Sequence, residues 1–293
     1  MGRMLPSWCG GNSSIGQAFA AGNITGAETN EALLRIDNAY QLVGGGRASG
    51  QTIASPRADA PALFPAGDVN GDGIADLVAV GSGSGSVLFG VRGGLPREGG
   101  RFTFSAGTGS GDLEVLVAGD VDMDGFGDFV VRGSFAVLLA GSAAGVRNTP
   151  LLADPSHRAA TPVGDVDGDG IADLIVRTEA DLRFFRGGRG GLREVESARR
   201  TGPFDTVVAV GDVTGDHHAD FCADHLFVEG SAAGPDYGHA LAWPVGGRAC
   251  VATNDARGGG DWDGDGVSDI ITWDGFRSLV PPYRRPPLEL RLR

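Results

Sequence analysis

The chain contains no lysine; all 24 of its basic residues are arginine. Against 37 acidic residues this leaves a formal charge of −13, which argues against a nucleic-acid binder, since such proteins neutralise phosphates with Lys and Arg. The missing lysine is read as coding bias of a GC-rich genome and carries no functional weight. Cysteine is scarce: Cys9, Cys222 and Cys250 are too few for a disulfide scaffold and too scattered for a zinc site. At most one bridge can form. Cys9–Cys250 and Cys222–Cys250 compete for it, and three free thiols are the commoner outcome. No run approaches the roughly 18 apolar residues that span a bilayer, and the opening "MGRMLPSWCGG" has no signal-peptide h-region. The chain as given is expected to be soluble, with export left open because a signal can be trimmed or lie upstream.

Catalytic motifs are also missing. There is no G-x-S-x-G, and His157, His217, His218, His225 and His239 show no H-E-x-x-H spacing. His217 and His218 read as surface-turn residues, and no catalytic residue is assigned. The aromatic content is only 7%, and Trp8, Trp243, Trp262 and Trp273 read as packing between structural units before sugar-stacking platforms.

Glycine and aspartate are what the chain has in excess. Its 51 glycines exceed the usual share of roughly 7% and imply many tight turns. The aspartates recur in register: "GDVNGDGIADLVAV" from Gly67, "GDVDMDGFGDFVV" from Gly119, "GDVDGDGIADLIV" from Gly164, "GDVTGDHHADFCA" from Gly211 and "GDWDGDGVSDIITW" from Gly260. A sixth, degenerate copy, "GNITGAETNEALLR" from Gly22, keeps the spacing and has lost most of the acids. The first acidic positions, counting Asn23, lie 45, 52, 45, 47 and 49 residues apart, a period that signals solenoids, propellers or arrays.

A second element follows each first acid by about 20 residues: an apolar run and two glycines four apart, Gly90/Gly94, Gly141/Gly145, Gly187/Gly191 and Gly230/Gly234. It reads as a hairpin turn. Each unit then resolves into four short strands, in the second unit "ALFPAG", "ADLVAV", "SVLFG" and "RFTFS". Repeat register also makes "ETNEALLRIDNAY" strand, although its composition suits a helix. A four-stranded antiparallel meander of about 48 residues, repeated around an axis, is a propeller blade. The expected fold is all-β: one propeller over residues 15–293, six blades with seven as the alternative, preceded by a tail, 1–14, that clasps the ring's seam. "LELRLR" supplies the closing outer strand.

Within each acidic loop, carboxylates stand at positions 1, 3, 5 and 9, glycine at 6, and a backbone carbonyl is offered at 7. In the fourth unit these are Asp165, Asp167, Asp169 and Asp173 with the carbonyl of Ile171. Such a set describes a hard-cation cage, because calcium accepts six to eight oxygens at flexible angles. Zinc would want His or Cys, and magnesium keeps several waters. An EF-hand needs Glu at position 12, where this chain has Ala79, Val131, Val176, Ala223 or Thr272.

These loops resemble the FG-GAP or VCBS-type repeats of integrin α-subunit propellers, bacterial surface proteins and some fungal lectins, over nearly the whole chain. The resemblance implies calcium in the loop joining the first two strands of each blade. Carried over by position, the further cages are Asp68, Asn70, Asp72 and Asp76 with the Ile74 carbonyl; Asp120, Asp122, Asp124 and Asp128 with Phe126; Asp212, Thr214, Asp216 and Asp220 with His218; and Asp261, Asp263, Asp265 and Asp269 with Val267. Two units depart from the pattern. Thr214 and His217 weaken the fifth, and Asn23, Thr25, Ala27 and Glu31 leave the first without the charge to hold metal. Up to five Ca²⁺ are expected, the cages taking three, four, four, three and four acids, 18 of the 37. Five ions would bring −13 to −3, so the acidity does not require a basic partner.

The expected function is a non-enzymatic, calcium-stabilised adhesion or recognition module at the cell surface or outside it. It would bind a protein or glycan on a propeller face, with no nucleic acid and no membrane span. The alternatives are a lectin or a calcium-dependent lyase or glycosidase using the acids outside the cages: Glu114, Asp181, Glu194, Glu196 and Asp205. The arginines Arg183, Arg186, Arg189 and Arg193 read as a solvated edge that blunts strand pairing.

Overall fold

The computed structural model describes residues 15–26, 30–36, 39–44, 50–53, 62–81, 83–106, 113–242, 271–272 and 277–278. Among these there is no α-helix, only a 3₁₀ turn at Glu196–Ala198. Strands follow the repeat. In the second unit Ala62–Gly67, Asp76–Gly81, Ser84–Phe89 and Arg97–Thr103 pair in chain order, each antiparallel to the one before. The first unit gives Ile15–Gly22, Glu31–Ile36, Ala39–Gly44 and Thr52–Ile53 in the same order, so the helix-like composition of its second strand yields to register.

The third sheet runs Glu114–Gly119, Asp128–Arg132, Ala136–Leu139 and Leu152–Ala153, with a small hairpin, Gly141–Ser142 against Gly145–Val146, before its last strand. The fourth holds Ala159–Gly164, Asp173–Arg177, Asp181–Arg186 and Arg193–Glu194, with a fifth short strand, Arg200–Thr201, also paired to Asp181–Arg186; the fifth sheet holds Val207–Gly211, Asp220–Ala223, Leu226–Glu229 and Asp236–Ala242. Of the sixth unit, Ile271–Thr272 paired with Arg277–Ser278 is described. The expected tail, the loop from Asp261 to Asp269, the four tryptophans and "LELRLR" lie outside the described residues.

Sheet position explains the residue types. In the second to fifth sheets the second strands are buried almost end to end: Leu77, Val78 and Ala79, or Leu174, Ile175 and Val176, are apolar without alternation because a neighbouring sheet covers each face. The fourth strand Arg97–Thr103 is the outer edge and alternates, burying Phe102 between exposed Arg101 and Thr103. First strands of successive sheets touch one another, placing them side by side with the sheets stacked outward in a propeller-like order. A first strand is therefore an edge on its axial side, which tolerates the prolines Pro65 and Pro162. Aromatic pairs tie sheets together, Phe19 to Phe64 at 5.5 Å and Phe102 to Phe129 at 5.8 Å, both edge-on.

One expectation is corrected. Cys222, buried in its second strand, is disulfide-bonded, and its partner lies outside the described residues. Three free thiols are thus not the outcome; Cys9 and Cys250, and with them the expected seam clasp, lie outside the described residues.

Candidate metal centre

Each described acidic loop begins with a glycine in the left-handed region: Gly67 at φ 79°, Gly119 at 80°, Gly164 at 87° and Gly211 at 75°. The register shifts at this point in the second, fourth and fifth sheets, between Pro65 and Gly67, Pro162 and Gly164, and Ala209 and Gly211. A bulge needing positive φ admits glycine readily, which is why "GD" recurs.

The aspartates then divide the loop's backbone donors among themselves. At position 1, Asp68 accepts from the N–H groups of Asp72 at 3.0 Å and Gly73 at 2.8 Å; Asp120, Asp165 and Asp212 do the same in their loops. At position 5, Asp72, Asp124, Asp169 and Asp216 each accept from the N–H two residues on. These are Asx turns, and they fold the loop over its own carboxylates.

Position 9 has a different task. Asp76, Asp128, Asp173 and Asp220 are fully buried at the start of the second strand. Asp173 takes the N–H of Val166 on Oδ2 and that of Gly187 on Oδ1, both at 2.9 Å. The same pair of bonds recurs from Val69 and Gly90, Val121 and Gly141, and Val213 and Gly230. The acid thus clamps the loop to the end of the third strand. In the first unit the acids of positions 1 and 3 are replaced by Asn23 and Thr25, yet Glu31 remains at position 9, accepting from Ile24 N–H at 2.7 Å and from the Thr25 hydroxyl. Position 9 therefore has a structural reason independent of any cation.

The paired glycines also separate into two roles. Gly145, Gly191 and Gly234 sit at positive φ and make turns. Gly90, Gly141, Gly187 and Gly230 are there for close approach. A Cβ on Gly90 would stand 2.4 Å from the Ala75 carbonyl oxygen and 2.8 Å from that of Ile24 in the preceding loop, and the other three meet the equivalent carbonyls. Consecutive loops are bonded directly, Ala75 N–H to the Asn23 carbonyl at 2.9 Å, Gly127 to Asp68 at 2.6 Å and Ala219 to Asp165 at 2.7 Å. The loops therefore form one stacked rim. Position-7 side chains help build it, Phe126 lying against Gly71 and His218 against Gly168.

Electrostatically the rim is overloaded. Burial pushes Asp76, Asp128, Asp173 and Asp220 each up to about 7, and neighbouring loop aspartates push the same way, against the backbone donors that pull them down. Burial, with Asp169 beside it, also raises Asp167. Oxygens of Asp120, Asp122 and Asp124, and of Asp165, Asp167 and Asp173, come within 4.8 Å of one another. Asp122 Oδ1 is buried with no hydrogen-bond partner among the described residues. A carboxylate offers about four lone-pair sites, so the Asx and clamp bonds leave capacity, and this donor set fits a hard divalent cation.

The sequence reading did not anticipate two arginines in these cages. Arg147, from the hairpin of the third sheet, pairs with Asp124 and reaches Asp122 at 3.4 Å; Arg186, ending the third strand of the fourth sheet, pairs with Asp167. The arginines read from the sequence as a solvated edge included Arg186, but strand pairing alone gives no hint that it turns into the loop. The acids outside the cages are largely engaged as well. Glu114 pairs with Arg132, and Asp181 and Glu194 share Arg199. Thr178 and Arg183 also bond Asp181, and against the upward push of burial these partners hold its carboxyl below the usual range.

Comparison with known proteins identifies the repeat. Residues 68–131 and 165–223 match the FG-GAP-like repeat, covering the second to third and the fourth to fifth acidic loops. No match was found among curated protein sequences. Among solved structures, a chain from the crystal structure of BBS1N in complex with ARL6DN, soaked with lead, is similar at 10% identity and a TM-score of 0.44, over 79% of this chain and 73% of that one. A chain of the Photorhabdus luminescens Tc holotoxin pore is similar at 16% identity and a TM-score of 0.31, over 71% of this chain and 13% of that one.

Proposed function

We propose, from the premise that this is an FG-GAP repeat protein, that the chain is a calcium-stabilised, non-enzymatic recognition propeller of six blades that works outside the cell. FG-GAP-like repeats in stacked four-stranded sheets suggest a protein-interaction module. The observation that carries the calcium reading is the stacked rim itself, in which four successive loops each hold at least three carboxylates, one of them buried at position 9.

Asp68, Asn70, Asp72 and Asp76, and their counterparts in the third, fourth and fifth loops, would hold the ions, with Asp261 to Asp269 forming a further loop by sequence. A bound Ca²⁺ supplies positive charge where burial and mutual repulsion raise the carboxylates. The chain's own residues do the rest: the Asx turns preform the loop, the position-9 clamp fixes it to two strands, and carbonyl contacts hold it to the next sheet. The rim is thereby a structural element. Recognition of a protein or glycan is assigned to the opposite rim, where second strands turn into third strands around Gly133–Phe135 and Thr178–Ala180. Arginine pairing of Glu114, Asp181 and Glu194 favours binding over glycoside cleavage, which needs one carboxylic acid kept protonated. The disulfide at Cys222 supports an oxidising compartment.

Melting in calcium against EDTA tests the first part, because a ligand bound only by the folded state must raise stability. Equal melting temperatures would remove calcium from the proposal. A glycan array run beside a polysaccharide-degradation assay tests the second part, and turnover of any glycan replaces the binding module with an enzyme.

A further inference from the structure

We propose that Arg147 and Arg186 are built-in counter-cations of the third and fourth loops, occupying the position-3 carboxylate in the metal-free protein, and that a divalent cation must displace them to bind. This deepens the calcium reading above and rests on it.

The acidic loops of this chain differ from one another at position 3. Position 3 is Asp122 in the third loop and Asp167 in the fourth, but Asn70 in the second and Thr214 in the fifth. Guanidinium contacts follow that difference: Arg147 reaches Asp122 and Asp124, Arg186 reaches Asp167, and among the described residues no ion pair falls on the second or fifth loop. Where position 3 is neutral, it donates locally, Asn70 to Asp72 at 3.1 Å and Thr214 to Asp212 at 3.4 Å. Four carboxylates with one guanidinium carry the same formal charge as three carboxylates, so all four described acidic loops have a formal charge of −3.

Inheritance of one arginine through the repeat does not explain this, because the two guanidiniums arrive by different routes. Arg186 is the residue before the close-approach glycine Gly187, a place held by Phe89, Ala140 and Glu229 in the other sheets. Arg147 comes two residues after Gly145, where the other units have Pro96, Arg193 and Asp236. Two unrelated sequence positions deliver the same group to the acidic loop, Arg186 onto position 3 and Arg147 across positions 3 and 5. Each arginine meets a deeply buried partner, the Asp122 side chain being 6% exposed and that of Asp167 0%, while its own stem is about one-third exposed and has solvent to move into. Arg147 is further steered by its Nε bond to the Gly141 carbonyl at 3.1 Å. A cation drawing oxygens from Asp122 or Asp167 competes for the atoms the guanidinium holds.

The test uses the full chain with Ca²⁺ as the probe, comparing wild type with Arg147→Met, Arg186→Met, Asp122→Asn and the Arg147→Met/Asp122→Asn pair. Calorimetric titration of Arg147→Met or Arg186→Met is expected to show one site tightened by roughly tenfold, the effect of removing one positive charge at contact distance in a partly solvated site. In EDTA each arginine variant melts lower than wild type, and Asp122→Asn restores most of the loss in the Arg147→Met background. Calcium affinity that is unchanged or weaker in both arginine variants overturns the proposal while leaving calcium binding intact. No binding by any of the proteins overturns the calcium reading and the displacement with it. The EDTA cycle then decides the counter-cation claim, and the claim fails if Asp122→Asn does not rescue Arg147→Met.

Discussion

Gly187→Ala is the substitution that most directly questions the clamp. A Cβ there would lie 2.3 Å from the Ala172 carbonyl oxygen, 2.8 Å from Ile171 Cγ2 and 3.1 Å from the Val121 carbonyl oxygen. Neither carbonyl can swing aside freely. Ala172 leads directly into the second strand at Asp173, and the Val121 carbonyl accepts the Gly188 N–H at 2.9 Å. Overpacking of a fixed core costs about 1–3 kcal/mol. Moving the strand also loosens the Gly187 N–H bond to buried Asp173, and a hydrogen bond to a charged group contributes about 1.5–3 kcal/mol. The expected loss is about 3–5 kcal/mol, which for a chain of this size lowers the melting temperature by roughly 6–20 °C. Gly188→Ala is the matched control, since its Cβ meets nothing within 4 Å and should change stability by less than about 0.5 kcal/mol. Thermal melts of both variants in saturating calcium and in EDTA provide the readout. If Gly187→Ala melts with Gly188→Ala, the glycine is not required by close approach and the clamp argument fails.

Metal-free stability should fall as pH rises. The position-9 aspartates stand at about 7 in the folded chain against an ordinary 3.8, so between those values the folded state holds protons the unfolded state has released. Their contribution is complete below about pH 4 and is lost as pH passes 7, with about 4 kcal/mol as the ceiling for one group. Melts in EDTA at pH 5 and pH 8 check the sign, and the calcium increment should be the larger at pH 8; greater metal-free stability at pH 8 contradicts the assignment. Met123 and His217 occupy left-handed positions, φ 58° and 72°, where other loops place glycine. Met123→Gly and His217→Gly should each stabilise by about 1 kcal/mol in chemical denaturation, and a destabilised pair would mean that the side chains pack where the loop needs them.

Repeat arithmetic made the strand order, the acidic loops and the all-β class legible in the sequence, because period and turn chemistry are local properties of the chain. "ETNEALLRIDNAY" shows how far this reached: its composition suits a helix, yet register makes it strand, and the chain forms Glu31–Ile36 and Ala39–Gly44 there. The acids at positions 1 and 5 were equally legible, since their hydrogen bonds join residues only two to five apart.

Position 9, the first glycine of each pair and the two arginines were decided by tertiary structure. The partners of Asp173 lie 7 and 14 residues away, those of Gly187 include a carbonyl of the preceding sheet, and Arg147 meets Asp122 from 25 residues on. Sequence alone determined that this chain makes stacked antiparallel sheets with a carboxylate-rich loop in nearly every unit. Only the folded chain decided which carboxylates the backbone already uses, which are left for a cation, and which already have a guanidinium, because those are properties of surfaces brought together from different strands and different sheets.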